Sequence, residues 1–156
     1  MAKRRIVLVD IDGTLSDASD RAAKYLDVCK PDWDSFYNAC GEDEPIKPII
    51  EVVEVLSTNF EIVYCTGRRE SCREDTIKWL DENVKLFGNI RRCHEILFRK
   101  DGDKRHDTIV KPEMLNEYLK CNPDTEVALI LEDRNSMVKK WRELGYTCLQ
   151  VADGDF

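Results

Sequence analysis

A short apolar run that ends in two carboxylates is the feature that most constrains how this chain can fold. Residues 6–9 have the composition of a buried strand, and Asp10 and Asp12 follow directly. Because the two acids stand two residues apart, they point to the same side of an extended chain, and Gly13 and Thr14 then supply turn residues. An Asp-Gly pair also forms ordinary turns. Burying two like charges beside an apolar strand is costly unless a cation or a reaction uses them, so the pair indicates a catalytic or metal site.

Other apolar runs of strand length alternate with segments of helical periodicity. Strands are predicted at about 5–9, 61–65, 96–98, 127–131 and 148–151. Helices are predicted around 22–26, 33–37, 49–56, 70–86, 112–119 and 136–144, with no strand between residues 10 and 48. This alternation predicts an α/β fold with a mostly parallel, Rossmann-type sheet that is covered by helices on both faces. Residues 1–156 are predicted to form one domain.

Three further stretches place polar side chains where a strand ends or a helix begins. Residues 63–68 end an apolar strand with the hydroxyl of Thr66, and residues 109–112 place Lys111 near a helix start, with proline in the first turn. Residues 127–134 form a strand-like run that ends in paired acids. Ligands bind at the carboxyl ends of the strands in an open α/β sheet, so these groups should meet the first pair of acids there.

In this order, the four stretches resemble the four motifs of the haloacid dehalogenase superfamily of phosphotransferases. The resemblance implies that Asp10 attacks phosphorus and that Asp12 is the general acid and base. It also implies that the second and third motifs bind the phosphate or the adjacent backbone, through Thr66, Gly67, Arg68 and Lys111. About 50 residues separate the first two motifs, which leaves room for a small cap or none.

The reaction that this resemblance implies also calls for a metal ion. A phosphomonoester dianion repels an attacking carboxylate, so a cation must neutralise both, and Mg²⁺ has the required preference for oxygen ligands. We expect Asp10, the backbone carbonyl of Asp12, and Asp133 to hold Mg²⁺, with Glu132 binding directly or through water.

A narrower resemblance lies mainly in the second half of the chain. Residues 99–111, residues 132–134, the helix that carries Val138 and Trp141, and the ending 149–156 resemble the phosphatase domain of bifunctional polynucleotide kinase-phosphatases. In that family the domain removes a 3′-phosphate from nucleic-acid ends. The phosphate-binding Gly-x-x-x-x-Gly-Lys-Ser/Thr loop of a kinase does not occur in these 156 residues.

Two acids in these segments leave alternatives open. Glu132 stands where the family usually has Asp, which keeps the charge but lengthens one ligand, so the division of metal binding between Glu132 and Asp133 is open. Asp107 is predicted to contact the substrate or to position Lys111 or Arg68. Its alternative is an acid of the loop before the helix, without a part in catalysis.

Composition limits the class of protein further. The chain is 42% hydrophobic, which suffices for a substantial core, and it has neither a bilayer-length apolar run nor a signal-peptide pattern. We therefore expect a cytoplasmic protein that does not bind membranes. Seven cysteines without a Cys-x-x-Cys pair indicate reduced packing residues rather than disulfides or a zinc site.

Charge and aromatic residues bear on the substrate. The net charge of −7 argues against a general polyanion-binding protein. Six basic residues lie close in sequence and are expected to flank the site: Arg91, Arg92, Arg99, Lys100, Lys104 and Arg105. Because acids are interspersed among them, a solvated loop of alternating charge is the alternative. Trp33, Phe36 and Tyr37 have the spacing for stacking on a terminal base, with ordinary packing as the alternative.

These observations predict a Mg²⁺-dependent phosphatase that acts on the 3′-phosphate ends of nucleic acid in repair or before ligation, with a separate kinase or ligase as a possible partner. The motifs indicate the reaction but do not identify the alcohol that is released. A phosphatase of free nucleotides or other small phosphomonoesters is therefore the alternative. A binding module for phosphorylated ends, without activity, is a third interpretation, and the complete set of catalytic side chains argues against it.

Overall fold

The computed structural model describes residues 3–87 and 94–155, and within these ranges it contains seven strands and six helices. The strands are β1 (Arg4–Val9), β2 (Ser16–Asp17), β3 (Glu44–Pro45), β4 (Glu61–Arg69), β5 (Glu95–Arg99), β6 (Thr125–Arg134) and β7 (Cys148–Gly154). The helices are α1 (Ser19–Tyr25), α2 (Trp33–Asn38), α3 (Lys47–Leu56), α4 (Arg73–Asn83), α5 (Asp107–Cys121) and α6 (Asn135–Glu143). Two short 3₁₀ turns, Cys40–Glu42 and Glu70–Cys72, precede α3 and α4.

Five of these strands form one parallel sheet in the order β5-β4-β1-β6-β7. Strand β1 is central, and its residues 6–9 are almost completely buried. A central parallel strand is covered on both faces, which explains why this run is continuously apolar rather than alternating. The predicted fold class, an α/β sheet covered on both sides, is confirmed.

Side chains of β1 alternate between two hydrophobic layers. Val7 and Val9 belong to the layer that contains Ile50 of α3 and Leu80 of α4. Ile6 and Leu8 belong to the opposite layer, with Leu115 of α5 and with Met137, Val138 and Trp141 of α6. The two layers hold the sheet rigidly, so the side chains that follow its carboxyl ends have fixed positions.

The segment between β1 and α3 is a small insertion that follows the carboxyl end of β1. Helices α1 and α2 are followed by a two-stranded antiparallel ribbon, in which Ser16 pairs with Pro45 and Asp17 with Glu44. The backbone N–H of Ile46 donates to the carbonyl of Leu15 at 2.7 Å, which ties the end of the insertion to its beginning. The prediction of no strand in this segment was wrong, because strands of two residues are too short to produce a periodic pattern.

Two boundaries next to the site also differ from prediction. Strand β4 continues from Cys65 to Arg69, where Arg69 pairs with Arg99 of β5. Helix α5 begins at Asp107 and not near Pro112. The Nδ1 atom of His106 accepts from the backbone N–H of Thr108 at 3.3 Å and caps the helix, a role for which histidine is not among the preferred residues. Pro112 therefore lies inside α5, where it removes one backbone hydrogen bond.

Among the described residues, no helix combines the length and the apolar character that a membrane span requires.

The carboxyl ends of β6 and β7 approach so closely that Gly154 has no room for a side chain. A β-carbon there would lie 2.5 Å from the carbonyl oxygen of Asp133 and 2.7 Å from the Cα of Arg134. We expect Gly154→Ala to lower the free energy of unfolding by about 1–3 kcal/mol, since the backbone must shift to admit the methyl group. Equilibrium urea unfolding measures this change.

Gly41→Ala is the matched control, because a β-carbon at Gly41 would meet Asp75 Cβ at 3.5 Å, an ordinary contact distance. This variant should unfold within about 0.5 kcal/mol of the wild type or be slightly more stable. Equal free energies of unfolding for the two variants would contradict the close approach of β6 and β7.

Candidate active site

Three buried carboxylates meet at the carboxyl ends of β1 and β6. One oxygen from each of Asp10, Glu132 and Asp133 lies within 4.8 Å of the others. Gly13 allows the turn after β1 to pass over this group, since a β-carbon there would lie 2.2 Å from Asp133 Oδ2. Its φ of +81° is also a conformation that glycine adopts without strain. The adjacency of β1 and β6 in the sheet thus brings the first and fourth motifs together.

Lys111 of α5 is the cation closest to this carboxylate group. Its Nζ donates to Asp10 Oδ1 at 2.6 Å and to Glu132 Oε2 at 2.8 Å, and its side chain is buried. The hydroxyl of Thr14 lies 3.3 Å from Asp10 Oδ2 and 3.3 Å from Asp133 Oδ1. Sequence reasoning gave Thr14 only a turn role, although a hydroxyl two residues after the second acid was a usable signal.

The charges of this group do not balance. Burial, together with the charge of Glu132, raises the pKa of Asp10 to about 7, and burial and Asp10 raise the pKa of Asp133 to about 6. One lysine faces three carboxylates, so the ionised group has an excess of negative charge in a buried place. Three oxygen donors with this excess have the chemistry of a site for a hard divalent cation. The residues present therefore fit the Mg²⁺ that the sequence predicts.

The side chain of Asp12 lies in a separate, guanidinium-rich environment. Its Oδ1 accepts from Arg68 Nη2 at 2.6 Å, from Arg68 Nε at 3.0 Å and from Arg21 Nη2 at 2.8 Å. The hydroxyl of Ser16 donates to the same oxygen at 3.1 Å. Burial opposes ionisation, but Arg68 and Arg21 outweigh it and hold the pKa of Asp12 well below its usual range. The two acids of the first motif thus have opposite electrostatic surroundings.

Arg68 is predicted to contact the phosphate or the adjacent backbone, and in the structure its guanidinium is buried among protein groups. It is fully buried, and besides Asp12 it donates to Thr76 Oγ1 at 3.1 Å and to Asp43 Oδ2 at 3.3 Å. Asp43 also accepts from Arg21 Nε and Nη2, each at 2.6 Å. The insertion thereby supplies one arginine and one carboxylate that lock both guanidinium groups around Asp12.

Sequence reasoning missed Arg21 and Asp43. Arg21 is part of a short polar helix, and Asp43 precedes a two-residue strand, so neither stands in a recognisable pattern. Their pairing depends on how the insertion folds back on itself. The signal available was indirect: a buried arginine such as Arg68 requires more than one acceptor.

The remaining residues predicted to bind substrate lie around the end of β4. Thr66 is buried, and its Oγ1 accepts from the backbone N–H of Arg68 at 3.1 Å. A β-carbon at Gly67 would lie 3.0 Å from Asp107 Oδ1, so the chain passes tightly over that carboxylate. Asp107 contacts Arg99 and accepts from Arg134 Nη1 at 2.9 Å. The hydrogen bonds of Asp107 therefore go to these two arginines rather than to Lys111 or Arg68.

The predicted basic surface is only partly available to a ligand. Arg99 is buried, and it donates to the carbonyls of Gly67 at 3.1 Å, Asp103 at 3.1 Å and Arg105 at 2.6 Å. Arg105 pairs with Asp103 and Glu113, at 2.8 Å each. Three of the six basic residues are exposed on the loop before α5, and two lie outside the described residues. The exposed ones are the ion-paired Arg105 together with Lys100 and Lys104, and those outside are Arg91 and Arg92.

Three solved structures share the fold of this chain. A chain of the Pnkp1/Rnl/Hen1 RNA repair complex is 28% identical with a TM-score of 0.74, and the match covers 100% of this chain and 45% of that chain. A haloacid dehalogenase-like hydrolase from Streptococcus pneumoniae is 19% identical, with a TM-score of 0.66 over 96% of this chain and 85% of that chain. A class C acid phosphatase from Bacillus anthracis, with tungstate bound, is 20% identical, with a TM-score of 0.62 over 92% of this chain and 61% of that chain. The fold is therefore that of haloacid dehalogenase-type hydrolases.

The family within this class follows from a match along almost the entire chain. The family model of the polynucleotide kinase PNKP phosphatase domain matches residues 4–156. The chain belongs to this family, and it is a phosphatase of the haloacid dehalogenase type. It spans less than half the length of the chain that it matches in the RNA repair complex.

The ion pairs of Asp107 with Arg99 and Arg134 should contribute to the stability of the fold. We expect Asp107→Asn to lower the free energy of unfolding by about 1–3 kcal/mol at neutral pH, because Arg99 and Arg134 lose their shared charged partner. Burial raises the pKa of Asp107, but Lys111, Arg134 and Arg99 outweigh it and lower the pKa in the folded protein. The ionised group therefore stabilises the fold above the unfolded-state pKa of about 3.9. This contribution is lost as the pH falls through the lower, folded-state pKa.

Urea unfolding from neutral pH to about pH 3 checks this, and the gap between wild type and Asp107→Asn should close toward the acid end. Glu113→Gln is the control, since its pair with Arg105 is exposed and should contribute less than about 1 kcal/mol. A gap that stays constant over the pH range would show that the charge of Asp107 contributes nothing.

Proposed function

We propose that the protein is a Mg²⁺-dependent phosphomonoesterase that removes 3′-phosphates from nucleic-acid ends through an aspartyl-phosphate. The observation that carries the proposal is the family match over residues 4–156, together with the placement of Asp10, Lys111, Glu132 and Asp133 in one buried group. Phosphoryl transfer needs a positioned nucleophile and compensation of negative charge. Asp10, held by Lys111, would be the nucleophile, and Lys111 together with a bound cation would compensate the charge.

In the first step, a carboxylate oxygen of Asp10 attacks phosphorus in line with the leaving O3′. The new bond joins Asp10 to phosphorus, the P–O3′ bond breaks, and Asp12 gives a proton to O3′. Lys111 holds Oδ1 of Asp10, and Thr14 lies beside Oδ2, so the nucleophile is fixed in orientation before the substrate arrives. Thr66 at the end of β4 supports the phosphoryl oxygens.

In the second step, water cleaves the Asp10–phosphate bond, and Asp12 takes its proton. The ionised form of Asp12 that Arg68 and Arg21 stabilise is the form that accepts this proton. To act as the acid in the first step, Asp12 must first bind a proton, and the negative charge of the phosphate near the guanidinium groups favours that change. Arg68 and Arg21 thus act on the reaction through Asp12 and position its carboxylate.

Asp10, Asp133 and the backbone carbonyl of Asp12 would hold the Mg²⁺, with Glu132 as a further donor. When bound, the cation supplies the positive charge that lets a carboxylate approach a phosphate dianion. The Glu132 carboxylate is already engaged by Lys111 at 2.8 Å, which favours a supporting role for Glu132.

The choice of nucleic acid rests on the relatives. The family is that of a polynucleotide kinase phosphatase domain, and the solved chain at 28% identity belongs to an RNA repair complex. The small insertion leaves the site less enclosed than a large cap would, and exposed Lys100 and Lys104 provide positive charge for a phosphodiester backbone. A separate kinase or ligase would be a partner of this enzyme in the cytoplasm, since removal of the 3′-phosphate leaves the 3′-hydroxyl that a ligase needs.

The decisive experiment compares phosphomonoesters that differ only in the leaving alcohol. We expect kcat/KM for an oligonucleotide 3′-phosphate to exceed that for a nucleoside 3′-monophosphate roughly tenfold or more, because contacts behind the terminal phosphate stabilise the transition state. The advantage should shrink as salt rises. An oligonucleotide 5′-phosphate should be a poor substrate, since the strand direction is reversed.

Asp10→Asn, assayed in parallel, should have no turnover on any of these substrates, which assigns the activity to this site. If mononucleotides or 5′-phosphates prove equal or better substrates at low salt, the protein is a small-molecule phosphatase of the same superfamily.

Removal of divalent cations tests the metal. Hydrolysis should stop in chelator and return with added Mg²⁺, because the buried carboxylates otherwise repel the phosphate. Ca²⁺ should bind without restoring turnover, since its larger and looser coordination shell misplaces the nucleophile. Full activity in chelator, measured with an aryl phosphate, would contradict the proposed cation site.

A further inference from the structure

Trp33 is far more exposed to solvent than the other two tryptophans. The chain has three tryptophans, all in the described residues, and Trp33 is 50% exposed while Trp79 and Trp141 are 2% and 1% exposed. Half of a large apolar side chain in water contributes little to folding. Exposed aromatic surface next to a site for a charged ligand is typical of a contact with that ligand.

Trp33 is the outer member of an aromatic platform, which we define as Trp33, Phe36 and Tyr37 of α2. The Trp33 and Phe36 ring centroids lie 5.8 Å apart in an edge arrangement, and those of Trp33 and Tyr37 lie 6.1 Å apart at 32°. Asp32 caps the helix by accepting from the backbone N–H of Ser35 at 3.0 Å. The three rings support one another, so the exposed face of Trp33 is held in place.

Two arginines connect the aromatic platform to the active site. The Arg21 guanidinium lies 4.2 Å from the Phe36 ring centroid, and the same group donates to Asp12 at 2.8 Å. The Arg69 guanidinium lies 4.6 Å from the Tyr37 ring centroid, directly after Thr66, Gly67 and Arg68 in β4. Phe36 is therefore packed against the residue that holds the general acid, and Trp33 extends from it into solvent.

Charged residues of the site also interact electrostatically with Tyr37 of the platform. Burial raises the pKa of the Tyr37 hydroxyl, and Arg99, Asp107, Arg69 and Asp12 all act on that group electrostatically. Arg69 is partly exposed and pairs with Asp34, whose side chain is 80% exposed, at 2.5 Å. Because Arg21 contacts both Phe36 and Asp12, the platform lies on the Asp12 side of the site, where the leaving alcohol would receive its proton in the proposed reaction.

We propose that the aromatic platform stacks on the nucleobase of the terminal nucleotide, the one that carries the 3′-phosphate, with Trp33 as the stacking surface. The inference rests on the proposed function and extends it from the phosphate to the base. A flat, exposed indole, with guanidinium groups on the neighbouring rings of Phe36 and Tyr37, matches a nucleotide, since the base offers a π-face and the sugar-phosphate offers negative charge. Stacking is tolerant of base identity, so the platform should secure the end of the strand without selecting a sequence.

The test removes the base from the substrate and the indole from the enzyme. One substrate is an oligonucleotide with an ordinary 3′-terminal nucleotide and 3′-phosphate, and the other has a tetrahydrofuran abasic residue at that position. In the wild type, loss of the base should lower kcat/KM roughly 5- to 150-fold, the range expected for one base–aromatic stack. In Trp33→Ala, the same loss should change kcat/KM by less than about twofold, because no stack remains to lose.

Trp33→Phe retains an aromatic face and should recover part of the dependence on the base, which separates stacking from a general disturbance of α2. Phe87→Ala is the matched control. Phe87 is 53% exposed, and its backbone N–H donates to Ser57, which precedes β4 at the amino end of the sheet. This variant should show the full base dependence of the wild type.

The outcomes distinguish the two proposals. If the wild type prefers the oligonucleotide 3′-phosphate but base removal lowers kcat/KM equally in wild type and Trp33→Ala, the stacking proposal is wrong and the proposed function stands. If the wild type hydrolyses nucleoside monophosphates as well as oligonucleotide 3′-phosphates, the proposed function is wrong. A base dependence lost in Trp33→Ala then still assigns the platform to a mononucleotide substrate.

Discussion

The ion pair between Lys111 and Asp10 is the interaction on which the site depends. It joins α5 on one face of the sheet to the end of β1 at its centre, and Glu132 at the end of β6 shares the same ammonium group. Taking one of these charges away would leave the others buried without compensation, which is far more costly than never having buried them. The position of α5 is therefore set by electrostatics at its amino-terminal part and by Leu115 and Tyr118 in the hydrophobic layer further along.

The same residues explain why the two acids of the first motif differ although only one residue separates them. Asp10 faces two carboxylates and one lysine, and its pKa is raised, whereas Asp12 faces two guanidinium groups, and its pKa is lowered. The sheet supplies the first environment and the insertion supplies the second. Two identical side chains thus acquire opposite tendencies to ionise because they lie against different parts of the fold, as the proposed nucleophile and proton-transfer group require.

Features that local sequence patterns create could be predicted from the sequence, whereas features that depend on tertiary contacts could not. The carboxylates of Asp10, Glu132 and Asp133 could be placed from sequence, because each follows a buried strand and the carboxyl ends of parallel strands share one edge. The family resemblance located Lys111 but not the start of its helix, since His106 is an unusual cap. The partners of Arg68 could not be predicted, because Asp43 and Arg21 reach it only through the tertiary fold of the insertion. Likewise Arg99 was expected at the surface, and its burial depends on carbonyl groups of a loop that carries no periodic signal.

Arg21 links the active site to the aromatic platform, since its guanidinium donates to Asp12 and covers the ring of Phe36. If the insertion contacts the substrate as proposed, the segment that recognises the substrate is also the segment that sets the electrostatic surroundings of Asp12. In such a protein, one substitution has two effects. A change that reshapes α1 or α2 for a new substrate would also change the surroundings of Asp12. Families built in this way should explore new substrates more slowly than those in which recognition and chemistry are encoded by separate loops.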